Sequence, residues 1–139
     1  MAEGQPHKRH WSRRLVLQSL YQWQLAGHSA NELVEQFSKD ENWPKVDQDY
    51  YEELLRESIS HAEELTDAIT TCVEGSMARV GPVEKAILLY AAYEMRYRHE
   101  IPKEVVISEA IILCKKFGSD GGYKLVNGVL DQVPREPLD

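Results

Sequence analysis

Residues 105–133, VVISEAIILCKKFGSDGGYKLVNGVLDQV, read as two helices joined by a glycine-rich corner. Val106, Ala110, Leu113 and Phe117 recur at steps of four, three and four, which puts them on one face of a 3.6-residue period. Pro102 suits the first helical turn, where a missing N–H costs nothing, and Gly118 suits a left-handed position just past the end. The second helix sets Val126, Val129, Leu130 and Val133 on one face, and Pro134 stops it. Between them SDGGYK brings flexible backbone, a lysine and an aromatic ring to a helix start. Backbone N–H groups at such a start attract anions, phosphates included. On pattern alone the commoner reading is a helical hairpin whose glycines only turn the chain.

Upstream of this pair, Pro82 opens PVEKAILLYAAYEMRYRHE. Val83, Ile87, Tyr90, Ala91 and Glu94 share one strip there, and Ala86, Leu89 and Tyr93 another. Apolar residues on so many faces predict a central helix. Before it, Asp47 can cap a long amphipathic helix running to about Val73, with Tyr51, Leu55, Ala62, Leu65, Ile69 and Cys72 at helical spacing. Ser29 and Glu32 form a capping box for a short helix that buries Leu33, Val34 and Phe37. The first helix, SRRLVLQSLYQWQLAG, is capped by Ser12 and ended by Gly27. Its Val16, Leu20 and Trp23 should face the core, leaving Arg13, Arg14 and Gln18 on an outer face as a phosphate site. Residues 1–10 lack an apolar period, so a mobile basic arm is expected ahead of a single domain over 11–139. No run alternates as a strand does, and no internal repeat is visible.

A chain of 139 residues is one domain with room for a sizeable core. It carries neither a long apolar run nor a signal-peptide core, so a soluble, cytoplasmic protein with no membrane association is expected. Cys72 and Cys114 fit no metal spacing and no disulfide framework, and are read as thiols within helical strips. The five histidines show no ligand spacing, and no P-loop, dinucleotide fingerprint or nucleophile elbow is present. Neither catalysis, a cofactor nor a metal is therefore expected.

The net charge of −7 argues at first against nucleic acid. Its distribution argues otherwise. Residues 1–27 hold Lys8, Arg9, Arg13 and Arg14 against the single acid Glu3, whereas residues 28–75 hold thirteen acids against three bases. Such asymmetry fits a basic pole for phosphates and an acidic body for a basic protein, although an acidic helix can also be merely solvated.

Three stretches carry a resemblance. IPKEVVISEAIILCKKFG followed by KLVNGVLD, the segment VEKAIL with its later YE, and Arg13, Gln18, Leu20, Tyr21, Trp23 and Gln24 of the first helix all resemble the NusB family of transcription antitermination proteins. The chain departs from that pattern at Ser108, where Asn is usual, at Cys114, where Ala is common, and at Leu125, where Phe is usual. Its arm, HKRHWSRR, is also poorer in arginine.

The resemblance implies an all-α fold of about seven helices in two packed halves. It implies a factor that binds boxA-type single-stranded RNA together with the ribosomal protein NusE, inside an antitermination complex on RNA polymerase, supporting rRNA transcription. The RNA surface would join Arg9, Arg13, Arg14, Gln18 and Tyr21 to Glu84, Lys85, Lys124 and Leu125. Arginines and lysines would hold phosphates, Tyr21 would stack, and Glu84 would accept from a base amine. The protein partner would meet Ile69, Val73, Met77 and Val80 on the acidic side. Some members of the family form homo-oligomers and others do not, so the resemblance leaves the oligomeric state of this chain open. The alternative reading is a helical protein-interaction module without sequence-specific RNA binding.

Overall fold

The computed structural model describes residues 5–135, which form seven α-helices and two 3-10 turns and contain no strand. In order these are α1 (Gln5–Ala26), α2 (Ala30–Phe37), a turn at Trp43–Lys45, α3 (Gln48–Ser60), α4 (Ala62–Thr70), a turn at Met77–Arg79, α5 (Pro82–Tyr97), α6 (Lys103–Phe117) and α7 (Gly122–Gln132). Helix α5 is the shared element. It packs on α1 and α3 on one side and on α4, α6 and α7 on the other, giving the two halves expected. Every residue from Ala86 to Arg96 is buried, as the apolar character on all its faces requires.

Local chemistry sets most boundaries. Ser29 and Glu32 make the reciprocal capping box, with the Glu32 N–H donating to Ser29 Oγ and the Ser29 N–H to Glu32 Oε1. The Asp47 carboxylate accepts from the Tyr50 N–H and starts α3. Gly27 ends α1 with φ +72°, a left-handed position that glycine adopts without strain.

Several expectations are corrected. Residues 5–10 continue α1 instead of forming an irregular arm; residues 1–4 lie outside those described. Ser12 is therefore not a cap. Its buried hydroxyl donates to the Lys8 and Asp47 carbonyls and accepts from the Asp47 N–H, tying α1 to the start of α3. The single long helix expected over 47–73 is two helices that meet at His61. There the ring Nδ1 lies 3.0 Å from the Glu57 carbonyl, which also accepts the His61 backbone N–H. A side chain competing for that carbonyl bends the helix without Pro or Gly. Trp23 is only partly buried against the core, while Leu15 and Leu17, absent from the expected core strip, are buried beside Val16 and Leu20.

Gly118 is extended (φ −87°, ψ −177°) rather than left-handed. Space explains its identity: a Cβ there would stand 2.7 Å from the Cys114 carbonyl and 2.8 Å from its sulfur. The left-handed residue of this corner is Gly121, at φ +78°.

Cys72 and Cys114 are free thiols; Cys114 is fully buried, whereas Cys72 is half-exposed at the surface. Burial, reinforced by the Glu84 carboxylate, pushes the Cys114 thiol up to about 11. Native protein at pH 7–8 should therefore react with a thiol-specific reagent at Cys72 and hardly at all at Cys114, whose rate should climb only as pH approaches 11. Mass spectrometry of the alkylated peptides checks this, and rapid modification of Cys114 at neutral pH would contradict it.

Candidate nucleic-acid interface

Helix α1 runs antiparallel to α5. Arg13 Nε donates to both Glu94 carboxylate oxygens (2.9 and 3.2 Å), and Gln24 Nε2 donates to the Pro82 carbonyl at 3.0 Å. This pairing turns Arg13 inward, to 3% exposure. Burial opposes its charge, but the Glu94 carboxylate more than offsets this and holds the guanidinium protonated. The Tyr50 hydroxyl donates to the same carboxylate. The Tyr50 ring in turn lies 4.3 Å from the guanidinium of Arg9 and 5.1 Å from that of Arg98. Arg13 is thus part of the core and not of an outer face. Arg9 is half-buried beside it.

With Arg13 turned in, the outward flank of α1 carries Arg14, Gln18 and the exposed Tyr21. Arg14 stands between two rings, 4.7 Å from Trp11 and 5.0 Å from Phe117 at the end of α6. Lys45 lies 4.4 Å from the same Trp11 ring, and Lys116 5.9 Å from Phe117. The order Lys45, Trp11, Arg14, Phe117, Lys116 is a ladder of alternating cations and rings drawn from three elements. Next to it Lys115 sits 4.7 Å over Tyr123. Cations hold phosphates and rings offer stacking platforms, the two components that single-stranded nucleic acid requires. Of the ladder only Arg14 was singled out from sequence. Lys45, Phe117 and Lys116 escape a reading of sequence because they reach α1 from segments remote in the chain.

The corner after α6 forms a small hollow of about 350 Å³ lined by Lys115, Gly118, Ser119, Asp120, Gly121 and Tyr123. Glu84, expected to be open to a base, is 4% exposed beneath this corner. Its Oε2 accepts from the Ser119 N–H (2.7 Å), the Ser119 hydroxyl (2.8 Å) and the Cys114 thiol (3.8 Å). Burial works against its charge, yet these donors win and hold the carboxyl below the usual range. Its contribution to stability is accordingly in place above that range and is lost as pH falls through the depressed value.

The remaining candidates divide. Lys85 is half-buried on the first turn of α5. Lys124 and Leu125 line an open groove of about 620 Å³ together with Val73, Arg79 and Val80. Residues expected on two separate surfaces, for RNA and for a protein, thus share one groove. Within the expected protein interface Ile69 and Val80 are buried, at 2% and 5% exposure, because they close the core under α4 and the Met77–Arg79 turn. Val73 and Met77 remain half-exposed.

Known proteins converge on one family. A transcription antitermination protein NusB of Alcanivorax borkumensis is 39% identical over 131 residues, covering 94% of this chain and 87% of that protein. Its namesake from Shewanella piezotolerans is 41% identical over 128 residues, covering 92% and 95%. Among solved structures, antitermination factors NusB and NusE in complex with double-stranded RNA superpose with a TM-score of 0.82 at 27% identity, covering 91% of this chain and 95% of that one. NusB of T. maritima superposes at 0.74, also at 27% identity, covering 94% and 93%. The sequence pattern of the NusB family itself matches residues 10–135, from the last residue before Trp11 to the end of the described fold. With α2 to α7 and all but the first turn or so of α1 inside that match, this chain belongs to the NusB family.

Proposed function

We propose that this protein is a transcription antitermination factor that binds boxA-type RNA jointly with the ribosomal protein NusE, within the antitermination complex on RNA polymerase that supports rRNA transcription. The observation that supports this best is the cation–ring ladder on the α1–α6 edge of a chain that is otherwise net acidic. Along that edge Arg14, Lys45 and Lys116 hold phosphates, with Gln18 and Tyr21 continuing the track on α1. Arg9, Lys85, Lys124 and Leu125 flank it. Arg13 and Glu84 act from behind the surface. Val73 and Met77 are the accessible part of the partner surface, and Ile69 and Val80 shape it from beneath.

RNA binding by the isolated chain should be modest, because thirteen acids in residues 28–75 repel a polyanion and Leu125 offers no ring. A basic partner on the acidic body both cancels that repulsion and lengthens the RNA track. The test is a titration of labelled boxA-type RNA, with scrambled and duplex RNA as competitors, across salt and with or without NusE. Affinity should rise at least about tenfold with NusE present, a gain of about 1.4 kcal/mol. NusE that binds without adding RNA affinity would leave the alternative, a helical protein-interaction module without sequence-specific RNA binding. Sedimentation of the same samples reports any self-association.

A further inference from the structure

The carboxylate of Glu84 lies in a cage of three glycines, one before α5 and two at the α6–α7 corner. A Cβ on Gly81 would stand 2.6 Å from Oε1, one on Gly118 2.7 Å from Oε2, and one on Gly122 2.3 Å from Oε2. Among the described residues, and apart from its chain neighbours, only this carboxyl group would lie within 4 Å of a Cβ on Gly81. The cage and the Ser119 and Cys114 donors join the first turn of α5 to both helices of the α6–α7 corner. That corner carries Phe117 and Lys116 of the ladder on one arm and Tyr123 on the other. An anion already bound to the Ser119 N–H also removes that donor from any phosphate.

We infer that Glu84 is a positioning residue for RNA binding, fixing the α6–α7 corner in the shape that aligns Phe117, Lys116 and Tyr123 without itself touching RNA. This role rests on the RNA reading above. It makes Gly81, on the connection before α5, a determinant of RNA affinity through Glu84 alone. A methyl group there would drive the carboxylate off Ser119.

The test measures binding of fluorescein-labelled boxA-type RNA by anisotropy for Glu84→Ala, Glu84→Gln, Gly81→Ala and the Gly81→Ala, Glu84→Ala double variant. Circular dichroism melts set a temperature at which all are folded, and amide hydrogen exchange reads Ser119 directly. Glu84→Ala should weaken binding about tenfold, the scale of losing charge-assisted hydrogen bonds. Glu84→Gln should recover to within about threefold, since an amide oxygen can take the place of Oε2 and accept from Ser119. Gly81→Ala should weaken binding in the parent and add nothing in the Glu84→Ala background. Ser119 exchange should quicken in both single alanine variants.

A direct contact between Glu84 and a base would make Glu84→Gln as damaging as Glu84→Ala and would leave Gly81→Ala additive; either result overturns the inference. So does unchanged affinity in all variants. A parent protein that binds no RNA at all instead removes the RNA reading, and this role with it.

Discussion

Arg13→Ala should lower the unfolding free energy by about 3–5 kcal/mol, the range for breaking a buried ion pair from one side. The loss comes from what stays behind. Glu94 has no exposed surface, and without the guanidinium its charge keeps only the Tyr50 hydroxyl as a hydrogen-bond donor. Replacing both Arg13 and Glu94 with methionine should cost far less than the two single changes added, because no unpaired charge is then left in the core. Urea unfolding of the four proteins, compared at constant m-value, checks this. Additive losses would mean that the pair is not coupled. RNA affinity in Arg13→Ala should fall only as far as the folded fraction does, which separates this arginine from its neighbour.

Arg14 is that neighbour, and its removal should act on RNA instead of stability. The Arg14→Ala, Lys116→Ala double variant should melt close to the parent but bind boxA-type RNA on the order of tenfold or more weakly at about 0.1 M salt. Its salt slope should fall by roughly 1.4, from roughly 0.7 per single-strand phosphate contact. Both residues lie against the Phe117 ring, so the variant removes two adjacent cations from one edge. Binding should weaken alike for matched and scrambled RNA, since phosphate contacts carry no sequence information. An unchanged salt slope would show that the RNA runs elsewhere.

The contrast between Arg13 and Arg14 marks how far the sequence could be read. Periodicity placed Val16, Leu20, Val106, Leu113 and Leu130 in the core, and short-range chemistry placed the Ser29–Glu32 box and the Asp47 cap. These depend on neighbours within one turn. Motif resemblance over the α1, α5 and α6–α7 segments gave the fold and the family. Arg13 was misread because its partner is 81 residues away, so nothing in α1 alone distinguishes it from a solvent-facing arginine. Distance in the chain likewise hid Phe117, which Arg14 joins only once α6 lies beside α1. Glu84 looked open because a glutamate behind a helix-starting proline usually is; three glycines that make room for it became meaningful only in space. The α3–α4 bend had no Pro or Gly to announce it, only a histidine side chain returning to its own helix.

The shared position of α5 bears on how the molecule comes together. At sixteen residues it is about 24 Å of helix whose surface neither half can cover alone. The helices synthesised first, α1 to α4, emerge before the helix on which they pack, and α5 stays half-bare until α6 and α7 follow. The helices that follow α5 therefore seal the core begun by those before it. Folding becomes a single cooperative event in which the edge proposed for RNA, made from α1 and α6, exists only after α6 has been translated.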